Sequence, residues 1–140
     1  MRRVTSSSAG FTLIEIMVVV FILGLLVALV APRIIGRTDE ARVIKAKADV
    51  KAIEEALNLF KLDNGFYPSS GEGLTALVQA PPRARKFNPD GYLSKVPVDP
   101  WGNEYLYQSD GRQIVVVSLG ADGVEGGDGY NGDISNHNID

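Results

Sequence analysis

The side chains best equipped for chemistry crowd the end of the chain. Asp122, Glu125, Asp128, Asp133 and Asp140 fall within residues 121–140, which hold no lysine or arginine. Glycines at 120, 123, 126, 127, 129 and 132 run through them. Carboxylates mixed with hydroxyls and backbone carbonyls suit a hard cation, since calcium takes roughly six to eight oxygens. The same composition suits a disordered acidic tail, because it offers little apolar surface to offset the entropy of ordering. Common calcium strings do not choose between the two. An EF-hand loop needs a terminal glutamate that is missing, and GGDGYN matches one copy of a calcium-binding repeat that cannot stack alone.

Elsewhere reactive groups are scarce. His137 is the single histidine, and the 140 residues include no cysteine. Disulfides, thiolate metal sites and cysteine nucleophiles are excluded, and a histidine-based triad has only that terminal residue to draw on. No GxSxG or phosphate-loop string occurs. Trp101, in PVDPWGN, suits packing in a turn better than service as a ligand platform. A net charge of −3 and a pI near 5.1 lack the basic footprint of a nucleic-acid binder. These residues point away from an enzyme.

Glu15 is the other informative side chain. It is the single charge in residues 11–31, FTLIEIMVVVFILGLLVALVA. As a helix this run spans roughly 30 Å, the hydrocarbon thickness of a bilayer. A signal-peptide core would be shorter and would end at a cleavage site of small residues. This run instead passes through Pro32 into a charged, amphipathic stretch. A carboxylate deep in lipid is costly unless paired, which marks Glu15 as functional. Lying about one turn inside, it can equally reach the headgroups. Arg2 and Arg3 nearly balance Arg33 and Arg37 across the span, leaving an N-in orientation as the default.

The junction carries a resemblance. GFTLIEIMVVVFILGLL, with Gly10 before Phe11 and Glu15 inside the apolar run, resembles the class III signal of type IV pilins and pseudopilins. The resemblance implies that a prepilin peptidase cuts between Gly10 and Phe11 and methylates the new amine of Phe11. It also implies that Glu15 pairs with a neighbouring subunit's terminal amine during filament assembly. Each charge in lipid needs the other.

The elements that hold these residues follow from periodicity. Val43, Ala46, Val50, Ile53, Leu57 and Phe60 recur at intervals of three and four, one apolar stripe on a helix. Asn64 and Gly65 form its stop signal. Pro32, with Gly36 behind it, either bends this helix or ends it at a linker. Residues 63–103 are punctuated by turn formers, with a short helix over 73–78 setting Leu74, Leu77 and Val78 on one side. Strands are expected over 104–108, with Tyr105 and Tyr107 directed outward from Leu106, and over 113–119. Ser109, Asp110 and Gly111 close the hairpin. Two strands are marginal alone, so the helix must complete the core.

The loops narrow the resemblance. DNGFYPSSGEGLTALVQAP (63–81), GYLSKVPVDPWGNEYLY (91–107) and SLGADGVEGGDGYNGDISN (118–136) are similar to the major pseudopilin of type II secretion. Type IV pilins usually close the C-terminal region with a disulfide, which this chain cannot form. The implied fold is α+β and pilin-like. A long N-terminal helix, half transmembrane and half amphipathic, packs on a small antiparallel sheet followed by a calcium loop. The resemblance implies one Ca2+, held by the side chains of Asp122, Asp133 and Ser135 and the carbonyls of Leu119 and Val124. Glu125 and Asp128 are competing carboxylates. One departure is His137 after Asn136, where the family tends to carry tryptophan.

The implied organisation is a leader (1–10), a membrane and filament helix (11–31), its amphipathic continuation (32–62) and a periplasmic head (63–140). The implied function is a helical homopolymer rising from the inner membrane to drive export of folded proteins. Its implied partners are membrane lipid, the prepilin peptidase, minor pseudopilins, and an inner-membrane platform with its cytoplasmic ATPase. A type IV or competence pilin, and a monomeric membrane-tethered calcium-binding module, are the alternatives.

Overall fold

A computed structural model of the chain describes residues 10–139, with the backbone alone over 30–37. Helix α1 covers Leu13–Asn64, and strands β1, β2 and β3 cover Leu106–Ser109, Ile114–Ser118 and Ile134–Ser135. Two 3₁₀ turns lie at Leu74–Leu77 and Gly129–Asn131. The chain divides between Thr38 and Asp39 into two compact units.

In the first unit Thr12 caps α1, and every described side chain from Phe11 to Leu29 is exposed. Among the described residues no helix is long and apolar enough to cross a membrane. The described side chains of the apolar run stop at Leu29, short of its end at Ala31. Helical backbone continues through Pro32 and Gly36, so the alternative of a linker there is not observed. The side chain of Pro32 lies outside the described residues, as do leader residues 1–9.

In the second unit the predicted stripe is the core. Ala46, Val50, Leu57 and Phe60 are fully buried, Ile53 nearly so, and Val43 packs against them half-buried. Gly65 ends α1 at φ 83°, a left-handed conformation that glycine adopts without strain, and donates its N–H to the Lys61 carbonyl at 2.7 Å. Around this helix end, the Phe60 ring meets Phe66, Tyr92 and Phe87 edge-on at 5.6, 5.4 and 6.4 Å. That nest lets a loop-rich segment share a core. The short helix expected over 73–78 is a 3₁₀ turn. It buries Leu74, Ala76 and Leu77 and leaves Val78 half-exposed.

The sheet is antiparallel in the order β1-β2-β3, with Leu106 opposite Val117 and Ser118 opposite Ile134. Strand β2 turns Ile114, Val116 and Ser118 inward. The facing expected for β1 is reversed. Tyr105 is buried and Tyr107 half-buried, whereas Leu106 is exposed. Each tyrosine buries its ring and still reaches an acceptor: Tyr105 donates to Asp49 at 3.1 Å and Tyr107 to the Pro68 carbonyl at 2.7 Å. Burial, then the Asp49 charge, push the Tyr105 phenol far above its ordinary range, so it stays a donor. Strand β3 pairs only two residues, too few to leave a periodic signal in the sequence.

Candidate functional site

The acidic segment is strung between two posts. The first is Asp99, 3% exposed, whose Oδ1 accepts the N–H groups of Trp101 and Asn103 at 3.1 and 2.8 Å. Its Oδ2 accepts the Ser118 hydroxyl at 2.8 Å, tying the PVDPWGN turn to the end of β2. Trp101 packs half-buried against the core, as its turn setting suggested. The second post is Asn136. Its Nδ2 donates to Glu54 of α1 and to the Ile114 carbonyl, and its Oδ1 accepts the Val116 N–H at 3.0 Å. Neither post was singled out from sequence. An aspartate ahead of Pro-Trp-Gly was the one available signal for the first.

Between the posts the backbone crosses itself. Ala121 donates to the Tyr130 carbonyl at 2.8 Å. Gly120, at φ 68°, lies so near the opposing strand of loop that a Cβ would come within 2.9 Å of the Tyr130 and Gly132 carbonyl oxygens. The segment is therefore folded, which disfavours the disordered-tail alternative.

The donor set fits a hard cation. Asp133 Oδ2 accepts the Gly126 N–H at 2.9 Å, while its Oδ1 is buried with no hydrogen-bond partner among the described residues. A buried carboxylate oxygen left unpaired is costly, and a cation would satisfy it. Asp122 is exposed and accepts the Val124 N–H at 3.1 Å. The Ser135 hydroxyl accepts the His137 N–H at 3.3 Å. The carbonyls of Leu119 and Val124 accept no hydrogen bond among the described residues. Glu125 and Asp128 are exposed. No group of three acidic or histidine side chains converges among the described residues. The implied ligand set has only two carboxylates and takes its other oxygens from a hydroxyl and the main chain.

The string GDGYNG, 127–132, also has the glycine spacing of a dinucleotide fingerprint. That fingerprint works only between a strand and a helix N-terminus. Here it encloses a three-residue 3₁₀ turn, which offers no such phosphate cradle.

At the other end of the chain, Gly10 and Phe11 are exposed just before α1. Glu15 finds a partner that the sequence reading missed. Its Oε2 accepts the Thr12 N–H at 2.7 Å and the Thr12 hydroxyl at 3.0 Å, while its own N–H donates to Thr12 Oγ1 at 3.2 Å. This is a reciprocal capping box, and Thr-x-x-Glu before an apolar run was its signature.

Two family profiles meet on either side of Pro32. The prokaryotic N-terminal methylation motif matches residues 5–31, and type II secretion system protein G matches residues 33–137. The chain belongs to the protein G family. The type II secretion system core protein G of Pseudomonas aeruginosa is 55% identical, over 91% of this chain and 94% of that one. The Vibrio cholerae protein is 49% identical, over 93% and 92%. That of Escherichia coli K12 is 43% identical, over 96% and 94%. The crystal structure of the major pseudopilin from the type 2 secretion system of enterohaemorrhagic E. coli matches with a TM-score of 0.60 at 37% identity. That match covers 73% of this chain and 91% of the other. Protein G chains are structural pseudopilins of the secretion apparatus, and the helix with its small antiparallel sheet is their fold.

Proposed function

We propose that this chain is the major subunit of the type II secretion pseudopilus, polymerising from the bacterial inner membrane to drive export of folded proteins across the outer membrane. The observation that carries the reading is the protein G match over 33–137, directly behind a methylation motif over 5–31. Cleavage between Gly10 and Phe11 removes the leader, 1–10, and exposes the Phe11 amine for methylation. Residues 11–31 anchor the chain singly in the membrane with its head, 63–140, in the periplasm, and 32–62 carry the helix between them. In the filament, the exposed side chains between Phe11 and Leu29 pack against those of neighbouring copies. Glu15 receives a neighbour's terminal amine, its carboxylate already steadied in the first helical turn by Thr12. The prepilin peptidase, minor pseudopilins and an assembly platform with its ATPase complete the system.

One calcium ion, held by Asp122, Asp133, Ser135 and the carbonyls of Leu119 and Val124, supplies positive charge to a head without disulfides. Asp133 contributes the oxygen that is otherwise buried and unpaired among the described residues. A small head with few strands gains from such a staple. Thermal melts of the purified protein test this. Chelation should lower the melting temperature of the wild type and leave Asp133→Ala, already lowered, unmoved. Identical melting of the wild type with calcium and with chelator would exclude the metal.

A further inference from the structure

The chain holds two Asn-Gly pairs, Asn64–Gly65 and Asn131–Gly132. In such pairs the glycine nitrogen can attack the asparagine side-chain carbon, because glycine has no Cβ to obstruct it. The two pairs sit in opposite surroundings. Asn64 is held at both ends of its amide. Nδ2 donates to the Phe60 carbonyl at 3.1 Å and the Tyr92 hydroxyl at 3.3 Å, and Oδ1 accepts the Lys86 N–H at 3.1 Å. The Gly65 nitrogen is occupied in the helix-closing bond to Lys61. Asn131 is exposed, and its side chain makes no hydrogen bond among the described residues. Among the described residues the Gly132 N–H reaches only the Gly129 carbonyl, at 3.3 Å, at the end of a three-residue turn.

We infer that Asn131 is a site of spontaneous deamidation. The Gly132 nitrogen gives its proton to solvent base and bonds to Asn131 Cγ. The Cγ–Nδ2 bond then breaks, and Nδ2 leaves as ammonia after taking a proton from water. Water opens the resulting ring at either carbonyl, giving aspartate or isoaspartate, so one water is consumed for each ammonia released. Both products add a negative charge to a loop that is already acidic.

Isoaspartate also lengthens the main chain by a methylene where the loop crosses itself closely. A Cβ on Gly120 would lie 2.8 Å from the Asn131 carbonyl carbon, and one on Gly127 would lie 2.6 Å from its oxygen. The isoaspartyl form therefore shifts the Asn131 carbonyl against the two glycines it packs on and loosens the crossing. Attack requires the Gly132 N–H to leave the Gly129 carbonyl, so the reaction follows the opening of that turn.

Peptide mass spectrometry of the full-length protein, incubated in detergent micelles at mildly alkaline pH, tests the site. The peptide containing Asn131 should gain the amide-to-acid mass at least about tenfold faster than that containing Asn64, where three side-chain hydrogen bonds must break first. Asn131→Gln should abolish the change there and leave the Asn64 peptide as before. Equal rates at the two pairs, or a faster rate at Asn64, would overturn the inference. A second arm rests on the calcium reading: added calcium should slow Asn131 and not Asn64. If calcium has no effect while Asn131 still outpaces Asn64, the metal reading fails and the modification site stands.

Discussion

Glu72 holds down a loop by three contacts that no short motif announces together. Its carboxylate accepts the Ser69 N–H at 2.7 Å and the Ser69 hydroxyl at 2.9 Å, and pairs with Arg83 at 2.8 Å. The Arg83 guanidinium, then the Ser69 amide, hold its pKa down to about 2 from an ordinary 4.5. A carboxylate whose folded pKa is depressed stabilises the fold above its unfolded value, and that stability is lost as pH falls through the folded one. Glu72→Gln should therefore melt lower than the wild type near neutral pH, with the gap closing between about pH 4.5 and about pH 2. Melting curves across that range check it; a gap independent of pH would assign the loss to packing instead. Residues of this kind explain why the site was only partly legible. Asp122 and Asp133 could be proposed from composition and resemblance, because their chemistry is written in their type. Asp99 and Asn136 could not, because their work depends on Ser118, 19 positions away, and Glu54, 82 positions away.

The second half of α1 was legible as an element because a helical period of 3.6 writes its buried face directly into spacing. Phe60 ends that face inside the nest of Phe66, Phe87 and Tyr92. Phe60→Ala should cost the head about 3–5 kcal/mol, measured by chemical denaturation, because three rings lose their common partner. Sheet faces were harder. Simple alternation in β1 is compatible with either facing, and tertiary partners at Asp49 and Pro68 decided for the tyrosines. Strand β3 is too short for any period to show. It pairs where the ligand candidate Ser135 stands, opposite Val117, so the sheet fixes one end of the acidic loop. The helix start carries a legible signal in Thr12-x-x-Glu15. Thr12 and Glu15 satisfy each other's groups in the first turn before any neighbour arrives.

Across the whole molecule, composition is divided rather than blended. From Phe11 to Leu29 the described apolar side chains lie open, Phe11 at 85%, while the second unit buries a core of its own. A continuous exposed apolar surface of that length needs lipid or other copies of the chain to cover it. Glu15→Ala should accordingly be cleaved after Gly10 and inserted as the wild type is, yet yield far fewer filaments, scored by crosslinking cysteines engineered into adjacent anchor helices. Normal filaments from that variant would remove Glu15 from assembly. The central claim, a pseudopilus subunit rather than a pilus subunit, is tested most directly by deleting the gene in its host and locating the secreted enzymes. Trapping of folded enzymes in the periplasm, with twitching and DNA uptake intact and secretion restored by the wild-type chain, is the predicted result. Unimpaired secretion accompanied by loss of twitching or DNA uptake would contradict it.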